Sequence, residues 1–403
     1  MNRGLLARAL ACSPYSSRRS VGLFFAAVVA VPVAAAQPVA SSLGRPNATA
    51  EAPFSRVLAP VRELADGRVV LIDEIERRLA VVDFRDGDTH EIGRVGDGPG
   101  EYHRLSGLHA LGGDTTLVED QLARRWIILI GTRPALTVHS GVSGVRFAPQ
   151  VFGVDRIGRV LDVHVMRFHD TPGLGPPIAS RVNAESLLVL VRWRGRGPPG
   201  SDSAVRLTRR VDTIRTIRGA GRGQTVAWRP VLPGKPPIRW RLDNPFNVAD
   251  QALLFPDGWI ALAFPDPFRV EWIAPNGRSV PGDPIPEQPV PVDDRVKRAA
   301  IKWKYPKADP QFDPKELPPW PATLPGFLND ALLAAPDGRL VVQRAFNPRD
   351  ARLFYDFIDR AGKRTGRLAL KPNERIVGFG QRSVYVVATD DDDLEWLRRH
   401  PWP

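Results

Sequence analysis

The chain has 403 residues, with 56 basic and 44 acidic side chains, seven histidines, one cysteine and a formal net charge of +12. A single cysteine excludes a disulfide framework and any cysteine-based metal centre within one chain. The 40 prolines and 35 glycines demand many tight turns, which argues against a mostly helical fold.

At the N-terminus, Arg3, Arg8, Arg18 and Arg19 precede the apolar run Val21 to Val33, which ends in Ala34-Ala35-Ala36 before Gln37. A charged segment, an apolar segment and small residues in that order predict a signal peptide over residues 1–36. The run is short for a bilayer span; an uncleaved membrane anchor is the alternative. Ser17-Arg18-Arg19 leaves twin-arginine export open beside the general secretory route. Cleavage removes Cys12, leaves 37–53 as a linker and 54–403 as one domain, and predicts a periplasmic or extracellular bacterial protein. It also removes four arginines and no acid, so the mature charge is +8. Arginines outnumber lysines 48 to 8, as the codon bias of a GC-rich genome would produce. With export, no nucleic-acid partner is expected.

Residues 61–102 read as one unit of short strands: a strand near Val69–Ile72, a second near Leu79–Phe84, a turn at Asp86-Gly87 and a third strand near Thr89–Arg94. Each is apolar or alternating over four to six residues between turn signals. Further units are predicted at 105–145, 150–218, 247–292 and 327–372. A loop at His169–Asn183 in the third is too rich in Gly and Pro for strand. A sixth unit would combine 375–400 with an N-terminal strand near Phe54–Pro60, closing a ring and hiding two sheet edges. Five or seven units stay open, because 219–247 has no clear strand period. One segment breaks the β reading. Asp293-Asp294 can cap a helix from Arg295 to about Tyr305, with Val296, Ala299, Ala300 and Trp303 on one face. A Pro-rich stretch around Trp320 follows, so 293–326 is predicted as an insert between the fourth and fifth units, able to roof one end of a ring.

A phrase recurs along the chain. Asp66-Gly67 leading into Arg68–Ile72 has counterparts at Asp257-Gly258 before Trp259–Leu262 and at Asp337-Gly338 before Arg339–Val342. Repetition of short strands at roughly 45 residues is the mark of a β-propeller. The first two units align at a 47-residue offset, placing Asp73 with Asp120 and Arg78 with Arg125. In both, an Asp closes one strand and an Arg opens the next, which predicts a clamp across the turn.

The stretch Gly96-Asp97-Gly98-Pro99-Gly100-Glu101-Tyr102, then Leu105–Leu108 and Val118–Trp126, resembles the NHL repeat, a Gly-rich turn followed by an aromatic, a small-residue strand and a V-x-D…R-[IV] hairpin. Val384–Asp390 and Leu394–Leu397 resemble the last blade of secreted bacterial six-bladed propellers of the NHL and TolB-like type. The likeness covers most of 54–400, is close only over the first two units, and implies an all-β, six-bladed β-propeller.

Charge is uneven. Residues 181–241 hold thirteen Arg and Lys235 against Glu185, Asp202 and Asp212. Arg192, Trp193, Arg194, Arg196, Arg209, Arg210, Trp228, Arg229, Arg239, Trp240 and Arg241 make a candidate patch for an anionic glycan, another anionic polymer or an acidic protein, because guanidinium forks match carboxylate, sulfate and phosphate. Alternate polar residues on an exposed strand are the structural reading of the same residues. The pairs His164/His169 and His103/His109 lack metal-ligand spacing. Asp390–Asp393 lacks the alternating ligands of a calcium loop, and Gly96–Gly100 is followed by no helix or Lys-Ser/Thr.

The expectation is therefore a monomeric, exported, non-enzymatic binding or scaffold propeller without a cofactor, recognising a protein or an anionic polymer through loops at one end of the ring. The alternative is a metal-dependent, lactonase-like hydrolase or a lyase with Asp73, Asp120 and His164 converging in the central channel. A structural role in an envelope complex is a third reading.

Overall fold

A computed structural model describes residues 40–139, 151–167, 185–196, 206–218, 245–246, 248–304 and 320–402. The predicted signal peptide lies outside the described residues. Two short strands come first, β1 (Ser41–Ser42) and β2 (Ala48–Thr49). Sheet one then takes β3 (Val57–Glu63), β4 (Val69–Asp73), β5 (Arg78–Val82) and β6 (Thr89–Glu91). Sheet two takes β7 (Leu105–Gly112), β8 (Thr115–Asp120), β9 (Arg125–Ile130) and β10 (Arg133–His139). Sheet three takes β11 (Val151–Val154), β12 (Arg159–Arg167), β13 (Glu185–Arg196) and β14 (Arg206–Arg218). Sheet four takes β15 (Gln251–Leu254), β16 (Ile260–Pro265), β17 (Phe268–Ile273) and β18 (Ser279–Val280), and α1 (Asp294–Lys304) follows. Sheet five takes β19 (Phe327–Ala334), β20 (Leu340–Arg344), β21 (Leu353–Ile358) and β22 (Arg364–Leu370), and sheet six β23 (Glu374–Phe379), β24 (Ser383–Thr389) and β25 (Glu395–Pro401).

The chain is an all-β propeller with one helix among its described residues. Its core is not one mass but a series of apolar layers between successive sheets. Val69 and Leu71 of β4 pack toward Tyr385 and Val387 of sheet six. Val70 and Ile72, one residue out of phase, pack toward Leu105 and Val118 of sheet two. Successive strand residues point to opposite faces, so a strand buried on both sides must be apolar throughout, and Val-Val-Leu-Ile replaces the alternation of a one-sided sheet. Equivalent layers join sheets two and three, three and four, four and five, and five and six.

The recurring Asp-Gly phrase is the hairpin between the first and second strand of a sheet. Gly67, Gly258 and Gly338 all adopt positive φ, at 86°, 86° and 85°, where a Cβ would be strained. The preceding Asp accepts the N–H two residues on, as Asp66 does from Arg68 at 3.0 Å and Asp337 from Arg339 at 3.1 Å. The Asp side chain thus fixes the turn and the Gly permits it.

Closure differs from the expectation. Phe54–Pro60 does not supply a strand to the last sheet, because from Val57 this segment is already β3, the first strand of sheet one. Instead β2 pairs antiparallel with β25, and Phe54 makes a single bridge to Glu395. Further upstream, β1 adds to sheet five, parallel to β22. The outer edges of two sheets are thereby covered by residues that read as linker, since two-residue strands leave no period in the sequence.

The helix forms where predicted, with Asp293 Oδ1 accepting the Val296 N–H at 2.9 Å as its N-cap. Val296 and Ala300 are buried among Phe246, Leu324 and Leu328. Trp303 departs from the expected apolar face: it is 46% exposed and stacks on Phe346, ring centroids 5.7 Å apart.

Candidate functional site

The first strand of each sheet, from β3 through β23, borders a central cavity of about 850 Å³. Its wall includes Ala65, Asp114, Arg156, Asp257, Pro336 and Gln381, all from the turns that follow these strands. The cavity therefore occupies the end of the channel where first strands turn into second strands. No residue of α1 lines it; the helix lies between sheets four and five, against Phe246 and Leu328, next to the starts of β15 and β19. The insert expected to roof a site thus packs at the other end of the inner strands.

Two carboxylates point into this wall, each against a glycine. Glu119 Oε1 lies 2.6 Å from His109 Nε2, with only 8% and 11% of the two side chains exposed. A Cβ on Gly107 would fall 2.6 Å from Glu119 Oε1 and 3.0 Å from His109 Nε2, so the pair requires glycine there. Glu63 accepts the Tyr385 hydroxyl and the Gln381 N–H, and a Cβ on Gly380 would overlap its carboxylate. Burial, then the Glu63 carboxylate, pushes the Tyr385 phenol well above its ordinary value, so it stays a neutral donor.

The cationic groups are also tied down. Arg62 donates to the carbonyls of Glu63 and Gly113; burial lowers its pKa, against the opposing charges of Asp114 and Glu63. Arg360 sits among Phe255, Trp259 and Trp272, its guanidinium carbon 4.6, 5.0 and 4.4 Å from the ring centroids. It also donates to Asp257 Oδ2 at 3.0 Å and to the Gly338 carbonyl at 2.9 Å. Gln251 is closed by Leu328 and Ala331.

Asp73 and Asp120 do not line the cavity, which corrects their placement in a channel site. Asp73 accepts the N–H groups of Ser55 and Arg56 at 3.0 and 3.1 Å, and Asp120 those of His103 and Arg104, both at 3.0 Å. They are clamps, each completed by its Arg: Arg78 at 3.5 Å and Arg125 at 3.1 Å. Arg125 also donates to the carbonyls of Gly96 and Glu101, so the Gly-rich turn is held structurally. The His164 side chain lies outside the described residues. Among the described residues, no three His, Cys, Asp or Glu side chains gather where they could hold one metal ion. His103 pairs with Asp97 at 2.6 Å, and Asp390 accepts the Asp392 and Leu394 N–H groups and the Trp396 indole, as a turn residue does.

Of the arginine patch, Trp228, Arg229, Arg239, Trp240 and Arg241 lie outside the described residues. Arg192, Trp193, Arg194 and Arg196 fall on β13, and Arg209 and Arg210 on β14. Register opposes Arg192 to Arg210, Trp193 to Arg209, Arg194 to Thr208 and Arg196 to Arg206. β12 begins at Arg159, opposite Arg192. Residues 193–196 and 206–209 therefore continue past β12 as a two-stranded ribbon. Arg159 directly follows the turn carrying Arg156, so the ribbon extends at the cavity's end of the ring.

The His109–Glu119 pair was not readable in the sequence. The two are ten residues apart on neighbouring strands, and they share a face only because a bulge between Leu105 and Gly107 sets Glu119 opposite Gly107, two residues from His109.

No protein-family model matches the chain, and no curated protein matches it in sequence. Among solved structures, it is similar to a protein of Bacteroides fragilis described as exported, with 10% identity, TM-score 0.46, and coverage of 91% of this chain and 98% of that one. It is also similar to virginiamycin B lyase of Staphylococcus aureus, with 9% identity, TM-score 0.38 and coverage of 89% and 87%. A third is regucalcin, a calcium-binding protein of Agrobacterium tumefaciens, with 11% identity, TM-score 0.35 and coverage of 90% and 97%. Such likeness says nothing of ligand or reaction.

Proposed function

We propose that this chain is an exported binding propeller of six blades, one per sheet, which recognises an anionic polymer at the cavity end of its ring. The observation that supports this is the ribbon of β13 and β14, where Arg192 opposes Arg210 and Arg196 opposes Arg206. Like charges directly opposite on paired strands are destabilising. An anion lying along the ribbon removes that repulsion, and arginine forks suit sulfate, phosphate and carboxylate alike. Charge on an outer strand also blocks edge-to-edge pairing, but that purpose does not call for arginine on the inner partner β13 as well. Arg156, exposed on the neighbouring turn, adds to the same basic surface. Export rests on the N-terminal segment, and the protein acts as a monomer.

Retention of the purified protein on immobilised lipopolysaccharide and on dextran sulfate tests the reading. The variant Arg194→Ala/Arg196→Ala/Arg206→Ala/Arg209→Ala should elute at clearly lower salt from both, since its contribution is electrostatic and screened. Equal retention of the folded variant and the parent protein would reject the ribbon as the binding element.

A further inference from the structure

We infer that the central cavity is a second, separate binding site, for a neutral, hydroxyl-rich small molecule of sugar or polyol type, with His109 Nδ1 and Ser106 Oγ as its recognition atoms. Glu63, Asp114 and Glu119 each accept a hydrogen bond from the protein itself, and Asp257 and Arg360 neutralise one another. Arg62 donates to two carbonyls, and its remaining Nε, like Arg360 Nη1, is sealed from solvent and out of a ligand's reach. Apart from Arg156, which is exposed on its turn and belongs to the basic surface, these charges are paired within the protein, and an ionic ligand would have to break those pairs and leave a buried partner exposed to desolvation cost.

The atoms left over are of another kind. Glu119 engages His109 through Nε2, so the carboxylate holds a proton on Nε2, and in the neutral imidazole Nδ1 is then the free acceptor. Among the described residues neither His109 Nδ1 nor Ser106 Oγ has a protein partner, and neither is sealed from solvent. Ser106 is the extra residue of the bulge between Leu105 and Gly107, a distortion that re-aims a side chain. Gly107, between them, is required by the pair it clears. Four neighbouring features, the bulge, the glycine, the buried pair and the free hydroxyl, thus converge on one stretch of wall. They offer one acceptor and one donor-acceptor, the complement of a diol. Half-buried Phe152 and Phe379 also line the cavity and provide apolar faces for the C–H side of a sugar ring. The volume, about 850 Å³, suits a small ligand of a few rings. No hydrogen bond joins Ser106 to His109, so the pair is arranged for binding rather than for activating the serine.

Saturation-transfer NMR on the mature protein tests this with D-glucose, D-xylose, N-acetylglucosamine and their β-1,4-linked dimers, beside glucosamine and glucuronate as charged counterparts. At least one neutral sugar should receive saturation. His109→Leu and Ser106→Ala should each weaken that binding at least tenfold, and Gly107→Ala should do so without altering any polar group. His109→Asn, which keeps an acceptor near the Nδ1 position, should retain more binding than His109→Leu. If His109→Leu does not fold, Ser106→Ala and Gly107→Ala carry the test. The inference is overturned if no neutral sugar binds, if a charged counterpart binds tenfold better, or if the folded variants bind as the parent does. The ribbon variant should leave sugar binding unchanged, which separates this site from the anionic surface.

Discussion

The carboxylate of Glu395 accepts the backbone N–H of Val57 at 2.6 Å, joining the last strand of the chain to the first strand of sheet one across 338 positions. Arg375 binds both oxygens of the same carboxylate, at 2.8 and 2.7 Å, and donates to the Val57 carbonyl at 2.5 Å. With the paired backbone bonds between Phe54 and Glu395, this is the seam of the ring.

Glu395→Ala should therefore cost about 2–4 kcal/mol, because it leaves the Arg375 charge and a buried N–H without their partner. Denaturant unfolding gives the value. A loss under about 0.5 kcal/mol would mean that the seam is held by the backbone pairing alone.

The two Asp clamps should differ in weight. Arg125 is 8% exposed, whereas Arg78 is 29% exposed and 3.5 Å from its Asp. Asp120→Asn should lower the unfolding midpoint more than Asp73→Asn, since the buried pair cannot turn to water for compensation. Equal losses would assign the stability to the backbone N–H contacts that the two clamps share.

Arg360 ties sheets four and five by cation–π contact as well as by charge. Arg360→Met should cost about 1–2 kcal/mol and should shift the fluorescence of Trp259 and Trp272. A charge-preserving Arg360→Lys should recover only part of the loss, since an ammonium cannot lie flat on three rings while donating to Asp257.

Acid should loosen the contact of Glu287, in the segment after β18 of sheet four, with Arg364 and Arg367 of β22 in sheet five. Burial pushes Glu287 up, but the hydrogen bond from Arg367 and the charges of Arg344, Arg367 and Arg364 outweigh it and hold the carboxyl below its ordinary value of 4.5. Folding thus favours the ionised form. Its contribution is complete above the unfolded value and is lost as pH falls through the folded value. Urea midpoints at pH 7 and pH 3.5 should differ less in Glu287→Gln than in the parent protein. An identical pH response in both would place the acid sensitivity elsewhere.

The class of fold was legible in the residues alone. Its Asp-Gly turns, its strands without alternation and the N-cap at Asp293 are local instructions, and each was obeyed locally because turn chemistry and strand period act over a few residues. Even the Asp73–Arg78 and Asp120–Arg125 clamps were legible, because each pair brackets a single turn. The sealing of the ring emerges from the assembled fold, with Ala48–Thr49 on β25 and Glu395 on Val57, since two-residue strands and a contact across 338 positions leave no period to read. The assembled fold likewise sets which polar residues meet in the channel. His109 and Glu119 are brought together by a bulge that shifts register by one residue, and Asp73 and Asp120 are kept away by backbone N–H groups that claim their oxygens first.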